Sequence, residues 1–157
     1  MALPIDPIRD VMNRTMFNLE FVRERATKKG PYEVTQLVNS FLGAVCHPWE
    51  KYPETFKMTF AQATKRGCPY TKAELQCDKE PANVAKLVNN MRDAIAHGNI
   101  SFEGTDGDIS SIKLWVCPPK EGHRTWGVVF TVAELRQFLD FIVQAVNDQA
   151  SQSFPQA

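Results

Sequence analysis

The sequence predicts a mainly α protein, a helical bundle with a small antiparallel β-meander inserted before the last helix. Three observations carry this. Apolar residues recur at three- and four-residue spacing over four long stretches, the period of a helix with one buried face. Between residues 100 and 130 the spacing drops to two, the period of a half-buried strand. Gly and Pro clusters mostly fall between these stretches and punctuate them. A chain of 157 residues, 43% hydrophobic and 23% charged, is long enough for one soluble domain with a sizeable core. One domain over residues 1–150 is expected, followed by a flexible polar tail over 151–157.

Taken in order, the first helix is expected over 7–27. Ile8, Val11, Met12, Met16, Leu19 and Val22 form its stripe, Pro7 opens it, and Lys28, Lys29 and Gly30 end it. A second follows Pro31, burying Val34, Leu37, Val38, Phe41, Leu42 and Val45 until Pro48 stops it. Residues 49–80 are broken by Pro53, Gly67 and Pro69; a short helix over 54–65 fits there, with Phe56 and Phe60 inward. A third long helix is expected from about Pro81 to His97, with Gly98 in the left-handed cap. At about 100° per residue, Leu87, Val88, Met91, Ala94 and Ile95 share one side. Lys86, Asn89, Asn90, Arg92, Asp93 and His97 lie outside that arc. Strands are expected over 100–103, 109–117 and 126–130, separated by Gly-containing turns. Trp115 and Trp126, in neighbouring strands, read more readily as a cross-strand packing pair than as a base-stacking platform. Thr131 and Glu134 have capping-box spacing and open a last helix with Leu135, Phe138, Leu139, Ile142 and Val146 on one face.

Composition narrows the function. Eighteen basic residues balance eighteen acidic ones, which argues against a long non-specific nucleic-acid groove but leaves room for a local phosphate site. The start lacks the basic stretch and apolar run of a signal peptide, and no segment is apolar enough to span a bilayer. A cytoplasmic protein without membrane attachment is expected. Cys46, Cys68, Cys77 and Cys117 form no paired spacing and no close ligand set with His47, His97 and His123. Buried thiols are expected, with no metal and no cofactor.

The chemistry concentrates in Arg92-Asp93-Ala94-Ile95-Ala96-His97-Gly98-Asn99. Neutral imidazole accepts a proton near pH 7, and a guanidinium holds a phosphate oxygen through two hydrogen bonds. The pair therefore suits phosphodiester cleavage without metal, with His97 as general base or acid and Arg92 as the clamp on the non-bridging oxygens. Asp93, one turn before His97, can orient the imidazole. Lys86 and Asn89, on the same polar side, are candidate substrate contacts. His47 and His123 read as structural or solvent-facing. The cluster Arg23, Arg25, Lys28 and Lys29 reads as a charged helix end, or as an aid to RNA binding where it lies beside the motif.

Arg92-Asp93-x-x-x-His97 resembles the signature of the HEPN superfamily: an arginine, a polar residue, and a histidine about one turn further on. The phrase from Met91 to Ile100 is similar to the form found in many small bacterial HEPN proteins. Arg14-Thr15-Met16-Phe17-Asn18-Leu19, the run from Gln36 to Gly43, and Pro48-Trp49-Glu50 are similar as well. The resemblance implies a helical bundle that forms a homodimer and, in competent members, a metal-independent RNase whose catalytic residues map onto Arg92, Asp93 and His97. It also implies a toxin or defence setting. The alternative is a non-catalytic HEPN-like dimerisation or nucleotide/RNA-binding module. A third reading is a competent toxin silenced by modification or by a neutralising partner protein. Spacing alone also fits a histidine that caps a helix beside a solvated arginine. Arg92 and His97 differ by about 140° around an ideal helix, so a shared site between two copies would bring the groups to one phosphate.

Overall fold

The computed structural model describes residues 6–27, 33–70, 80–105 and 108–153. Contacts divide the chain into two compact units, Met1–Phe56 with Leu139–Ala157, and Lys57–Phe138. Most of the described residues are helical, and a three-stranded antiparallel sheet precedes the last helix, as the hydrophobic periods predict.

In the first unit, helix α1 (Pro7–Arg25) starts where Asp6 accepts the Arg9 amide at 3.2 Å and Pro7 supplies a preset first turn. It buries Met12 and Leu19. Val11, expected in the stripe, is 43% exposed, and Phe17 and Phe21 are more so. Periodicity states which residues share a side of a helix; the neighbouring elements decide how much of that side is covered. The Arg25 guanidinium sits 3.7 Å from the Phe21 ring centroid. Helix α1 ends at Arg25, and the Lys28–Lys29–Gly30 ending lies outside the described residues.

Helix α2 (Glu33–Phe41) runs through a π-helical segment (Leu42–Cys46) into α3 (His47–Lys51), followed by α4 (Pro53–Phe56). Pro48 therefore does not stop the helix. It falls in the first turn after the wider π segment, where a missing N–H costs least, and its carbonyl accepts the Tyr52 amide at 2.7 Å. Leu37, Phe41, Ala44 and Val45 are fully buried. Gly43 lets α1 approach closely: a Cβ there would lie 2.9 Å from Thr15 Oγ1. Asp6 also accepts from Lys51 Nζ at 2.5 Å and from the Tyr52 hydroxyl. Burial opposes ionisation of its carboxyl, but these hydrogen bonds and the Lys51 charge outweigh it and hold the pKa at about 2.

Phe56, the last residue of this stretch of the first unit, is buried as expected, yet 54–65 is not one helix. In the second unit, Thr59 and Gln62 form a reciprocal capping box that opens a separate helix, α5 (Phe60–Lys65). Helix α6 (Val84–Ala96) starts later than Pro81, at an Asn83 cap that accepts the Lys86 amide at 2.9 Å. It buries Val84, Leu87, Val88, Asn90, Met91 and Ala94, and packs on the sheet through strand β2. Asn90, predicted outside the apolar arc, is only 7% exposed.

The sheet is a meander of β1 (Ile100–Thr105), β2 (Asp108–Val116) and β3 (Trp126–Thr131), in that order. Gly104 and Thr105, expected in a turn, belong to β1, because Thr105 pairs with Asp108. Ile112 faces Phe130, and Leu114 faces Val128, on the buried side. Trp115 pairs with Gly127, and Trp126 with Val116. The tryptophans are therefore one position out of register and on opposite faces, not a cross-strand pair. Helix α7 (Val132–Ser153) opens with the predicted box: the Thr131 amide donates to Glu134 at 2.8 Å and the Glu134 amide to Thr131 at 3.1 Å. It runs to Ser153, so residues 151–153 are helical and 154–157 lie outside the described residues. Leu135 and Phe138, which belong to the second unit, and Leu139, Phe141, Ile142 and Val146, which belong to the first, are all buried.

Candidate active site

The end of α6 is made by backbone chemistry. Gly98 takes φ +67, the left-handed conformation that costs a residue without a Cβ least. The Asn99 amide then reaches back to the Ala94 carbonyl at 2.8 Å, and the Gly98 amide to the Ile95 carbonyl at 3.1 Å. This paired ending satisfies two carbonyls that the helix leaves open. His97 is the capping residue, at φ −96 and ψ 6, with its amide bonded to the Asp93 carbonyl at 3.1 Å. Its imidazole is exposed and makes no side-chain hydrogen bond among the described residues.

One turn earlier, a small group is locked together. Arg92 Nη2 lies 3.1 Å from Asp93 Oδ1, and Asn89 Nδ2 donates to Asp93 Oδ2 at 3.2 Å. The Arg92 and Asp93 side chains are each 36% exposed. Asp93 was expected to orient His97. Its two oxygens instead accept from the adjacent Arg92 and from Asn89, its i−4 neighbour on the helix surface. Asn89, read as a substrate contact, is thus also the second holder of Asp93. Lys86 is exposed, one turn before Asn89. The structure brings Asn89, Arg92 and Asp93 into one hydrogen-bonded group and places Lys86 and His97 separately along the same helix.

The other titratable groups read differently. His47 is exposed at the start of α3, and His123 is exposed with Nδ1 2.9 Å from the Glu121 carbonyl. Cys46 and Cys68 are buried, and burial pushes the Cys68 thiol up, which keeps it protonated and unreactive. Cys117, expected to be buried, is exposed beyond the end of β2; Cys77 lies outside the described residues. Arg23 pairs with Glu20, and Arg25 with Glu24. Among the described residues no helix is long and apolar enough to cross a membrane. One feature escaped the reading of the sequence. Arg124 lies over the Trp115 ring, 4.4 Å from its centroid, a contact between a connection and a strand that spacing in the sequence does not signal.

A mainly helical chain with a meander before its last helix, carrying Arg92-Asp93 and a capping His97 at the end of α6, fits the HEPN resemblance of the sequence. Residues 1–153 match the family described as HEPN pEK499 p136, and the chain belongs to that family. Neither a curated protein sequence nor a solved structure matches the chain.

Proposed function

We propose that this protein is a metal-independent endoribonuclease. The observation that carries the reading is a half-exposed Arg92, steadied by Asp93, on the same helix as an exposed His97, in a chain of the HEPN family. In RNA the 2′-hydroxyl is a built-in nucleophile beside the phosphate. The chain must remove its proton, offset charge at phosphorus and protonate the leaving oxygen. His97 takes the 2′-proton as the 2′-oxygen bonds to phosphorus. Arg92 holds the non-bridging oxygens through its planar pair of donors, and Lys86 and Asn89 meet the flanking backbone. The bond to the 5′-oxygen breaks, that oxygen gains a proton, and a 2′,3′-cyclic phosphate remains.

One chain offers one such histidine, so the second proton comes from His97 of a second copy related by a two-fold axis. The family match spans both compact units, which supports treating residues 1–150 as one HEPN-like domain. The setting the family suggests is a cytoplasmic toxin or defence effector held in check by a neutralising partner protein. The second reading, a module that grips phosphate without cleaving, draws on the Asp93 carboxylate that neutralises Arg92 in the free chain. Incubating the purified protein with RNA in EDTA separates the two. Fragments ending in 2′,3′-cyclic phosphate support the nuclease, and binding without fragments supports the module.

A further inference from the structure

We propose that Trp115, Arg124 and Lys113 form a stacking subsite for single-stranded RNA on the outer face of the meander, next to the helix end that carries His97. The inference rests on the nuclease reading for its substrate class, and on the sheet for its position.

Strand alternation separates the two sides of β2. Ile112 and Leu114 are each 1% exposed against the core, so Ser111, Lys113 and Trp115 point to the other face. The register splits the roles of the two tryptophans. Trp126 is 2% exposed and belongs to the core, whereas Trp115 is only partly covered and lies on the opposite face. Position ties Trp115 to the candidate active site, since its amide donates to the Asn99 carbonyl at 3.2 Å, extending the β1–β2 ladder by one step. Asn99 is two residues beyond His97, so the ladder that carries Trp115 begins where the helix ends.

The chemistry suits a nucleotide. The exposed Arg124 already stacks on the indole, leaving the edge of its guanidinium to meet a phosphate while a base joins the stack. Lys113 is two positions along and adds a second cation to the same face. On this face Glu103 accepts the Ser111 hydroxyl at 3.3 Å, two residue pairs along the sheet from Lys113. Glu121 lies in the connection that carries Arg124, with its carbonyl against His123. A chain with no net charge binds little by charge alone, so an aromatic platform beside two local cations supplies the grip that general electrostatics does not.

The test uses the full chain and an eight-nucleotide 2′-O-methyl RNA, which lacks the nucleophile and is not cut. Trp115→Ala and Arg124→Ala should each weaken its binding roughly tenfold, the order that losing one stacked base implies. Trp115→Phe should keep most of the affinity and lose the fluorescence quenching that the wild type shows on binding. A ring with a purely structural role would not move that signal. Should Trp115→Ala fail to fold, Arg124→Ala, an exposed loop change, decides. Wild-type binding that depends on Trp115 or Arg124, without cleavage of any RNA, supports the subsite and refutes the nuclease. Cleavage by the wild type together with undiminished binding by Arg124→Ala and Trp115→Ala overturns the subsite and leaves the nuclease standing. A wild type that binds no oligonucleotide overturns the subsite too.

Discussion

His97 and Gly98 are adjacent, yet substitution should affect them in opposite ways. His97→Ala removes an exposed ring, while the bonds that end α6 are made by peptide groups and persist. Such a surface truncation costs less than about 0.5 kcal/mol, a fall in melting temperature of about 1–2 °C for a domain of this size. Cleavage should fall by roughly 10²–10⁴, the usual contribution of a general acid or base. Gly98→Ala reverses the pattern. A Cβ at Gly98 meets no atom within 4 Å, so its cost is purely conformational and comes from φ +67. About 1–2 kcal/mol is expected for the left-handed region, and with it a loss of about 2–8 °C. Cleavage should fall less than in His97→Ala, because the imidazole remains. Thermal melts and a cleavage assay in EDTA, with 2′,3′-cyclic ends as the product, measure both axes. His97→Ala that cleaves at the wild-type rate refutes the catalytic role, and His97→Ala that melts as low as Gly98→Ala refutes the claim that the cap is built from backbone alone.

Arg92→Ala should abolish cleavage with little loss of stability, since its ion pair with Asp93 is over a third exposed and worth about 0–1 kcal/mol; Arg92→Lys should rescue poorly for want of the planar fork, and full rescue would refute the clamp. Mixing wild type with excess His97→Ala under exchange conditions should depress activity below the wild-type fraction, whereas activity that tracks that fraction refutes the shared site. Asp6 provides the pH test. Its carboxyl is lowered from 3.8 to about 2 in the folded chain, so its stabilisation is present above about pH 4 and is lost as pH falls through 2. Asp6→Asn, which keeps a capping side chain, should cost about 1 kcal/mol near neutrality once solvent screening is allowed for, and denaturation curves of the two proteins should converge between pH 4 and 2. Gly104→Ala should destabilise the β1–β2 hairpin strongly, since a Cβ would lie 1.9 Å from the Asp108 carbonyl oxygen at the bulge; an unchanged melting temperature would show that the bulge relaxes freely.

Much of this architecture is legible in the sequence, and for one reason: it is local. Helical period, the Thr131–Glu134 box, the glycine after His97 and the two-residue alternation of the strands act over one or two turns of chain, so neighbours in sequence suffice to state them. Arg92, Asp93 and His97 stood out by the same local reasoning, as residue types suited to phosphate and proton chemistry that an apolar face leaves aside. What depended on the fold were relations between distant segments. Pro48 continues a helix because a widened turn precedes it, and Val11 is exposed although its period marks it for burial. Asp93 gives its oxygens to Arg92 and Asn89 instead of His97, a choice among rotamers that spacing cannot make. The tryptophans part company because a one-residue offset in strand pairing turns a side chain to the other face of a sheet. Pairing register is set by the turns and by the apolar surface each strand must cover, and it was the folded sheet that put Trp115 beside the end of the helix carrying His97.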